Sequence, residues 1–349
     1  MTFQIGKHHI GPGHEPFVIA ELSGNHDQSL DKALAMVDAA AKAGAHAIKL
    51  QTYTADTMTL DVDRPEFLIA DADNLWKGNT LHQLYHKAHT PWEWHKALFD
   101  RAREHGVLAF STPFDASAVD FLETLDVPCY KVASFENTDL PLIRKIASTG
   151  KPMIMSTGMA SAGELEESVR AAREAGCQHL VLLKCTSAYP APVEEANLLT
   201  LPHMSALFNC PVGLSDHTLG LAAPLVAVAH GACVIEKHFV LDRSEGGVDS
   251  VFSLEPEEFA TLVRESANAA KALGQVRYGG SEADEVSKKY RRSIYIATDL
   301  AEGEVLSEAH IKIIRPGLGL APKYRDSVLG RTLRRGVAKG EPLDWSMLD

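Results

Sequence analysis

The stretch PVGLSDHTLGLAAPLVAVAHGACVIEKHF, residues 211–239, contains two compact apolar runs, and each run ends in polar residues. The first run covers residues 211–216 and the second covers residues 233–239, with an alanine-rich segment between them. Short continuous apolar runs are typical of strands that are buried on both faces of a parallel sheet. The stretch therefore predicts a strand, a helix and a second strand, which together form one βαβ unit.

The same pattern recurs along most of the chain. Six further apolar runs precede these two, at residues 17–22, 45–51, 108–113, 129–134, 153–158 and 180–186. The intervening segments have helical periodicity, and Gly44 and Gly176 stand where two of these helices should end. Eight such units in about 260 residues predict an α/β fold, a (β/α)8 TIM barrel. The alternative, a doubly wound open sheet, is disfavoured because no G-x-G-x-x-G motif follows the first run.

Residues 56–90 form a segment that is too long for a simple connection between a strand and a helix. The segment contains Trp76, Lys77, Asn79 and Tyr85. We expect it to fold over the mouth of the barrel. The alternative is a surface insertion that has no role in function.

The pattern changes after Gly274, where the last long helical segment ends. Residues 275–289 are polar and are interpreted as a linker. The remainder contains short strand patterns separated by turns, at residues 293–297, 311–315 and 332–337. We therefore predict a barrel domain over residues 1–274, a linker over residues 275–289 and a small β-rich domain over residues 290–349.

The composition excludes several classes of protein. The 349 residues carry a net charge of −12, which argues against a general nucleic-acid binder and against a polybasic membrane binder. The five cysteines include no C-x-x-C pair, as expected for reduced thiols. Residues 1–11 lack a signal-peptide pattern, and no apolar run approaches the roughly 20 residues that span a bilayer. We expect a cytoplasmic protein with no nucleic-acid or membrane partner.

Ionisable and hydroxyl side chains stand at or just after the ends of the apolar runs. In a (β/α)8 barrel the active site lies at the carboxyl ends of the strands. Stability alone does not require ionisable groups at the ends of so many buried strands. We therefore predict that one rim of the barrel carries the chemistry, with these residues at the run ends: Glu21, Asn25, Lys49, Lys131, Ser134, Glu136, Ser156, Ser187, Tyr189, Ser215, His217, Glu236 and His238.

His217 and His238 follow the seventh and eighth runs, so they can face each other across the barrel mouth. Two neutral imidazoles in this arrangement suit a catalytic divalent metal with open coordination positions. The alternative is a pair of histidines that are hydrogen-bonded to carboxylates. Alternation along the eighth strand places Glu236 on the side of His238 and turns Lys237 towards the helices.

Lys49 and Lys131 are flanked by apolar residues at strand ends. Such lysines serve as Schiff-base nucleophiles or as cations that bind phosphate and carboxylate groups. The hydroxyls of Ser134, Ser156 and Ser215 favour anion binding, because several of them can donate hydrogen bonds to one phosphate. Each serine taken alone can equally be a small residue in a tightly packed barrel.

Glu21 and Glu136 can act as a general base or acid if their surroundings raise their pKa values. The alternative for each is a paired structural carboxylate. Cys185 also lies near the end of a strand. We interpret it as a packed thiol, because the sequence places no base beside it.

Several motifs occur in the order found in the sialic acid synthase family, and the chain resembles this family from about residue 15 to its end. The first motifs are Ala20-Glu21-Leu22-Ser23-Gly24-Asn25-His26, Ile48-Lys49-Leu50-Gln51 and Phe110-Ser111-Thr112-Pro113-Phe114-Asp115. The central ones are Tyr130-Lys131-Val132-Ala133-Ser134 and Ile154-Met155-Ser156-Thr157-Gly158. The last ones are Gly213-Leu214-Ser215-Asp216-His217-Thr218 and Ile235-Glu236-Lys237-His238-Phe239. The tail, with Ile314-Arg315-Pro316-Gly317 and Gly319, resembles the antifreeze-like (SAF) domain of these synthases.

Within the family, the chain is most similar to the branch that makes pseudaminic acid. This likeness rests on residues 49–59, on Leu75-Trp76-Lys77-Gly78, on residues 85–94 and on residues 184–190. The resemblance implies a transferase that condenses phosphoenolpyruvate with an N-acetylated amino sugar and releases phosphate. For this branch the sugar is 2,4-diacetamido-2,4,6-trideoxy-β-L-altrose. The family reaction uses a divalent cation, which is manganese, cobalt or magnesium.

The resemblance also implies roles for residues by their position in the motifs. His217 and His238 are implied as metal ligands. The implied phosphoenolpyruvate site consists of Lys49, Lys131, Ser134, Ser156, Ser187 and Ser215. The implied sugar contacts are Asn25, Tyr189, Asp249 and Arg315, and the implied catalytic residues are Glu21, Lys49, Glu136 and Glu236. Because the family forms domain-swapped homodimers, Arg315 would reach the sugar in the barrel of the second subunit.

One position departs from the pattern of the N-acetylneuraminate synthases. They often have Cys-Thr-Asn-x-Tyr-Pro where this chain has Cys185-Thr186-Ser187-Ala188-Tyr189-Pro190. The shorter Ser187 side chain fits a different sugar. The alternatives are an N-acetylneuraminate or legionaminate synthase, a Schiff-base aldolase that uses Lys49 or Lys131, and a non-catalytic carbohydrate- or ice-binding protein.

Overall fold

The computed structural model of the chain describes residues 2–70 and 76–349. Leu75, which is part of one motif above, lies outside the described residues. The chain divides into two compact units, Met1–Gly274 and Gln275–Asp349. No helix in the described residues is long and apolar enough to cross a membrane.

The first unit begins with an antiparallel hairpin, β1 (Phe3–Ile5) and β2 (His8–Ile10). A closed barrel of eight parallel strands follows, and pairing of its last strand with its first closes the barrel. Each predicted run overlaps one of these strands, so the predicted (β/α)8 barrel is confirmed. The barrel strands are β3 (Phe17–Glu21), β4 (Ala47–Thr52), β5 (Leu108–Pro113), β6 (Tyr130–Val132), β7 (Met153–Ser156), β8 (Leu180–Cys185), β9 (Val212–Asp216) and β10 (Ala232–His238).

Helices cover the outside of the barrel between the strands. Their ends follow local chemistry: Ser161 and Glu164 form a capping box at the start of one helix, and Gly44 follows another with a φ of +88°. Apolar side chains on the strands and helices together bury one continuous core. The helices of this unit are α1 (Leu30–Lys42), α2 (Ala55–Met58), α3 (Leu81–Ala88), α4 (His95–Glu104), α5 (Ala116–Glu123), α6 (Leu140–Ala147), α7 (Ala162–Glu174), α8 (Thr200–Phe208), α9 (Ala222–Ala229) and α10 (Pro256–Leu273).

The long segment between β4 and α4 carries α2 and α3. Its Trp76 donates an indole hydrogen bond of 3.0 Å to the carbonyl oxygen of Val248, in the loop that follows β10. At its far end, Trp92 donates a similar bond of 3.2 Å to the carbonyl oxygen of Tyr53, directly after β4. These two bonds hold the segment at the carboxyl end of the barrel, where the sequence predicts it.

The second unit begins with α11 (Glu282–Lys288), which the sequence analysis did not predict within the polar segment interpreted as a linker. Strands β11 (Ser293–Ile296) and β12 (Ile311–Ile314) then pair antiparallel, and a short helix α12 (Arg325–Val328) follows. The predicted strand over residues 332–337 forms isolated bridges instead, such as Leu300 with Val337. A separate small core fills this unit, with Ile294, Leu306 and Leu343 among its buried residues.

Candidate active site

The register of the barrel strands places predicted site residues side by side. Glu21 on β3 lies opposite Lys49 on β4, and His238 on β10 lies opposite Glu21. On the other side of β10, Glu236 lies opposite Ser215 on β9. Glu21, Ser215, Glu236 and His238 are within the last three residues of their strands. Lys49 is in the middle of β4, and parallel pairing brings it beside Glu21 at the same rim.

Lys49 lies at the centre of a buried group of charges. Its Nζ forms an ion pair with Glu21, lies 3.1 Å from Thr112 Oγ1 and lies 3.7 Å from Glu236 Oε1. Lys49, Glu21 and Glu236 are all nearly inaccessible to solvent. Burying a charge without a partner is costly, and each of these charges has a partner of opposite sign.

Lys131 forms a second arm of the same group. Its Nζ donates a hydrogen bond of 2.6 Å to Ser156 Oγ and lies 3.8 Å from Glu236 Oε1. Ser215 Oγ donates to the same Glu236 oxygen at 3.2 Å. Glu236 therefore lies between two lysines. The hydroxyl of Ser215 bonds to Glu236, and that of Ser156 bonds to Lys131.

Burial and charge act in opposite directions within this group. Burial alone would raise the pKa of Glu236, but Lys131 and Lys49 outweigh it and hold the pKa below its usual value. Burial also lowers the pKa of Lys131, which Glu236 only partly offsets. Burial raises the pKa of Glu21 in spite of Lys49. An anion bound beside Lys131 would stabilise its charged form, so the chemistry of this arm suits a phosphate or carboxylate ligand.

Ser134 and Ser187 meet beside Gly158, just beyond the end of β7. The backbone N–H of Gly158 donates a hydrogen bond of 3.2 Å to Ser134 Oγ. A Cβ atom at Gly158 would collide with both serine hydroxyls. Glycine is therefore needed here so that the two hydroxyls can approach the backbone closely.

Glu136 lies in a turn directly after β6. Its Oε2 is buried and has no hydrogen-bond partner among the described residues. Burial raises the pKa of Glu136 to about 7. A carboxyl group that titrates near neutral pH can both take up and release a proton under working conditions, as a general acid or base must.

His217 and His238 face each other, with ring centroids 5.3 Å apart. His217 Nδ1 lies 3.0 Å from the carbonyl oxygen of Thr186. Because a carbonyl only accepts hydrogen bonds, Nδ1 carries the proton and the lone pair lies on Nε2. Hydrogen bonding of one ring nitrogen to a backbone carbonyl is the arrangement that orients metal-ligating histidines.

His238 is also suited to bind a cation. Its Nδ1 is buried without a hydrogen-bond partner among the described residues, and the nearest carboxylate oxygen, Asp249 Oδ2, is 3.7 Å away. Burial holds the pKa of His238 well below its usual value, so the ring is neutral at pH 7. The alternative of two carboxylate-bonded histidines is not what the structure shows. Residues 2–70 and 76–349 contain no group of three or more His, Cys, Asp or Glu side chains placed to hold a metal.

Cys185 is not simply a packed thiol, and this corrects the sequence analysis. Its Sγ lies 3.9 Å from His217 Nδ1, so an imidazole N–H stands beside it. Burial would raise the pKa of this thiol, but His217 outweighs burial and lowers the pKa to about 7. Cys185 is the register partner of Ser215, which lies two residues before His217. The order of strands in a (β/α)8 barrel therefore predicts this neighbour, whereas the ends of the runs taken singly do not.

Asp249 lies on the loop after β10 and is held by residues that follow β3. Its carboxylate accepts a hydrogen bond from Ser23, and its backbone N–H donates a bond of 3.0 Å to Asn25 Oδ1. Asn25 Nδ2 donates to the carbonyl oxygen of Phe239 at 3.0 Å and to Ser253 Oγ at 2.9 Å. Asn25 is completely buried, so its amide serves the Asp249 loop in this structure.

Aromatic rings line the side of the mouth next to the histidines. The ring centroid of Tyr189 lies 4.5 Å from that of His217, and Phe252 lies 4.9 Å from His238. Trp76 approaches Tyr189 with a centroid distance of 6.1 Å. The sequence analysis assigned no role to Phe252, Thr112 or Ser23, although Thr112 and Ser23 stand at strand ends as the assigned residues do.

The two remaining predictions concern Lys237 and Arg315. Lys237 turns away from the histidines, as predicted, and its Nζ contacts the carboxylate of Asp216 and the carbonyl oxygen of Thr218. Arg315 is exposed and follows β12 in the second unit.

Comparison with known families identifies the two units. Residues 36–278 match the NeuB family, and residues 291–349 match the SAF domain. The chain belongs to the NeuB family. The resemblance inferred from the sequence motifs is therefore confirmed, and the small β-rich unit is a SAF domain.

Three known proteins show how far the likeness extends. The pseudaminic acid synthase of Campylobacter jejuni (strain 81-176) is 43% identical over 330 residues, which cover 95% of this chain and 96% of the relative. The N,N'-diacetyllegionaminic acid synthase of Legionella pneumophila is 35% identical, covering 95% of this chain and 94% of the relative. A crystal structure of the sialic acid synthetase of Leptospira borgpetersenii is 32% identical with a TM-score of 0.74, covering 83% of this chain and 96% of that one. This NeuB-family member is an enzyme, as the sequence predicts.

Proposed function

We propose that the chain condenses phosphoenolpyruvate with 2,4-diacetamido-2,4,6-trideoxy-β-L-altrose and water, giving pseudaminic acid and phosphate. The observation that carries the proposal is the buried group of Lys49, Lys131 and serine hydroxyls together with two facing histidines on the neighbouring strands. The lysines and serines suit an anionic enol phosphate. The histidines suit a cation that polarises the carbonyl of a sugar. The 43% identity to a pseudaminic acid synthase supports this choice of acceptor.

Phosphoenolpyruvate would bind along Lys131 and the serines around it. The Nζ of Lys131 and the hydroxyls of Ser156, Ser215, Ser134 and Ser187 supply a cation and several donors at the ends of neighbouring strands. Charge-assisted hydrogen bonds from such groups are stronger than neutral ones. Lys49, which is paired with Glu21, would lie at the end of this site where the new bond forms, and Glu236 would keep both lysines charged and in place.

His217 and His238 would hold a divalent cation, which we propose to be manganese, cobalt or magnesium. The lone pair on His217 Nε2 and the neutral ring of His238 fit this role. When bound, such a cation supplies a Lewis acid that polarises the sugar aldehyde. Two protein ligands leave most coordination positions to water or substrate, so binding of this metal should be readily reversed by a chelator.

The reaction balances with one water and one carboxylate base. Carbon 3 of phosphoenolpyruvate forms a bond to the aldehyde carbon, whose oxygen takes up a proton, and carbon 2 becomes electron-poor. Water adds to carbon 2 and gives up a proton, and the resulting tetrahedral intermediate expels phosphate. We assign removal of this proton to Glu136, whose pKa of about 7 suits a base at neutral pH. Glu21, with a pKa that burial raises, is the alternative carrier.

The sugar would lie on the loop side of the mouth, against Tyr189 and Asp249. Asn25 would act there by holding the Asp249 loop, because its amide is bonded to that loop. Arg315 would come from a second copy of the chain in a domain-swapped homodimer. Exposed apolar side chains on segments that follow four of the barrel strands would pack against this second copy. These are Phe135, Met159, Leu219 and Val251.

The proposal also places the enzyme in a reducing, cytoplasmic compartment. All five cysteines are free and buried. Disulfide bonds are rare in proteins of the cytosol, where thiols stay reduced. The partners are then two small molecules and a second copy of the chain.

Two rival functions rest on particular observations. The 35% identity to a legionaminic acid synthase favours an enzyme with the same chemistry and another N-acetylated sugar. The lowered pKa of Lys131 favours a Schiff-base aldolase, because a buried lysine with a depressed pKa is a nucleophile. In that case borohydride would trap the substrate on a lysine, and activity would survive a chelator.

Phosphate release from phosphoenolpyruvate tests the proposal. The assay compares the diacetamido-trideoxy-altrose, N-acetylmannosamine and 2,4-diacetamido-2,4,6-trideoxy-mannose, each with manganese and with EDTA. We expect release with the altrose sugar alone, and none after EDTA. Release with another of these sugars would overturn the acceptor but keep the chemistry. Release that persists in EDTA, together with a borohydride-trapped lysine, would establish the aldolase instead.

A further inference from the structure

Trp76 joins two places in the mouth of the barrel that are far apart in the sequence. Its indole N–H donates a hydrogen bond of 3.0 Å to the carbonyl oxygen of Val248, the residue before Asp249. Its ring also approaches Tyr189, with a centroid distance of 6.1 Å and an angle of 55° between the rings. Asp249 and Tyr189 are the two sugar contacts proposed on the loop side. Trp76 therefore contacts Tyr189 itself and Val248, the neighbour of Asp249.

The Asp249 loop has anchors of two origins. Asn25 and Ser23, which follow β3, bond to the backbone and to the carboxylate of Asp249. Trp76 bonds to the adjacent Val248 carbonyl from the long segment between β4 and α4. Asn25 and Ser23 belong to the connection between β3 and α1. Trp76 belongs to the long segment between β4 and α4, which is an insertion relative to a minimal (β/α)8 barrel. Removing Trp76 would therefore leave Asp249 attached but less closely held.

Trp76 and Tyr189 are both half-buried, so part of each ring remains accessible at the mouth. Behind them, Phe252 packs against Tyr189 with a centroid distance of 5.4 Å and against His238. A sugar that carries acetamido methyl groups and a deoxy carbon presents apolar surface, which aromatic rings bind well. A sugar that carries hydroxyl groups in place of the methyl groups or the deoxy carbon would leave these hydroxyls without hydrogen-bond partners against the rings.

We propose that Trp76 is a positioning residue for the acceptor: it fixes Asp249 through Val248 and Tyr189 through ring contact, and thereby selects an N-acetylated deoxy sugar. This inference rests on the proposed function, since it names what one side of the same site recognises. The contacts of Trp76 with Val248 and Tyr189 lead to the two proposed sugar contacts. We therefore expect its influence to fall on the sugar.

The test is the substitution Trp76→Phe, which keeps an aromatic ring but removes the indole N–H. Losing one such hydrogen bond should raise the KM for the sugar by about five- to tenfold. The KM for phosphoenolpyruvate should change by less than about twofold, within the range expected for a distant group. Trp92→Phe is the matched control, because Trp92 also donates its indole N–H to a backbone carbonyl, that of Tyr53. The control should leave the KM for the sugar unchanged.

A double-mutant cycle with Asp249→Asn separates positioning from direct contact or general loosening. If Trp76 acts through Asp249, the double variant should have nearly the same KM for the sugar as Asp249→Asn alone. Fully additive increases, or equal increases in the KM for both substrates, would overturn the inference. Thermal unfolding and the KM for phosphoenolpyruvate report whether each variant is folded.

The acceptor panel keeps this inference distinct from the proposed function. If the unaltered enzyme uses a different N-acetylated sugar, the proposed acceptor is wrong, and the KM comparison is made with the sugar that it uses. A selective rise in that KM would still support the role of Trp76, and no rise would overturn it. If the enzyme condenses no sugar, both proposals fail together.

Discussion

The two sides of the barrel mouth are built in different ways. On one side, Lys49, Lys131 and Glu236 project from barrel strands, and hydrogen-bonded strand register fixes where they lie. On the other side, Asp249 lies on a loop that side chains from two other loops hold in place. Strands hold a site more rigidly than loops do, whereas loops tolerate change.

This difference matches what the relatives share and what they do not. The proteins compared above all match this chain over most of its length, yet their names refer to pseudaminic, legionaminic and sialic acids. We infer that the strand-borne side carries chemistry that is common to the family. The loop-borne side then distinguishes one sugar from another. Substitutions on one side of the mouth should therefore change one property of the enzyme, either its chemistry or its choice of sugar, more than the other.

The largest effect should come from His238, which lies between the two sides. It is the register partner of Glu21 and lies 3.7 Å from the carboxylate of Asp249. His238→Ala should lower turnover by about a thousandfold or more, because losing a Lewis acid costs several kcal/mol of transition-state stabilisation. The exposed His203 provides the control variant His203→Ala, which should retain full turnover. Phosphate release with added manganese measures both. Full activity in a folded His238→Ala variant would disprove the metal assignment.

Glu136→Gln should have the next largest effect, on turnover and on its pH dependence. The pKa of Glu136 is raised to about 7, and a base works only when it is deprotonated. Turnover of the unaltered enzyme should therefore fall as the pH drops below about 7. The variant should lose about a hundred- to thousandfold in turnover, in the usual range for a general base, and its profile should lack this acid limb. If the limb persists in the variant, Glu21 is the better candidate.

Sequence predicts the strand-borne side well, because apolar runs define the strands and the polar residues at their ends define the rim. The facing of His217 and His238 follows from that pattern alone. The loop-borne side is less accessible to sequence reasoning, because its contacts join residues that are distant in the chain. Thus Asn25 is bonded to the Asp249 loop, and Cys185 has the His217 imidazole beside it, which single motifs do not reveal.

The second unit shows the same limit. The polar composition of residues 275–289 predicts a linker, but Ser281 and Asp284 form a capping box that starts α11 there. Capping groups satisfy the free backbone N–H groups at the start of a short helix, and apolar periodicity does not reveal such a start. Outside the β11–β12 pair, the backbone of the SAF domain pairs through isolated bridges between distant residues, which strand patterns do not identify.

The smallest effect should come from Ser187→Asn, which introduces the side chain found in the N-acetylneuraminate synthases. Ser187 lies against Gly158 beside Ser134, where the two sides of the mouth meet. The larger amide should weaken use of the altrose sugar by several-fold, about 1 kcal/mol, as overpacking typically costs. The ratio of kcat/KM between the altrose sugar and N-acetylmannosamine measures this change. An unchanged ratio would remove Ser187 from sugar selection.

Calorimetric titration with phosphoenolpyruvate alone shows whether the strand ends form a complete anion site without the sugar side. We expect binding to the unaltered protein that weakens by at least about tenfold in Lys131→Met, because a buried charged donor to the anion is lost. Lys151→Met, which removes a lysine that pairs with Glu123 outside this site, should bind like the unaltered protein. Asp249→Asn should also bind normally. Unchanged binding in Lys131→Met, or equal weakening in Asp249→Asn, would contradict the account.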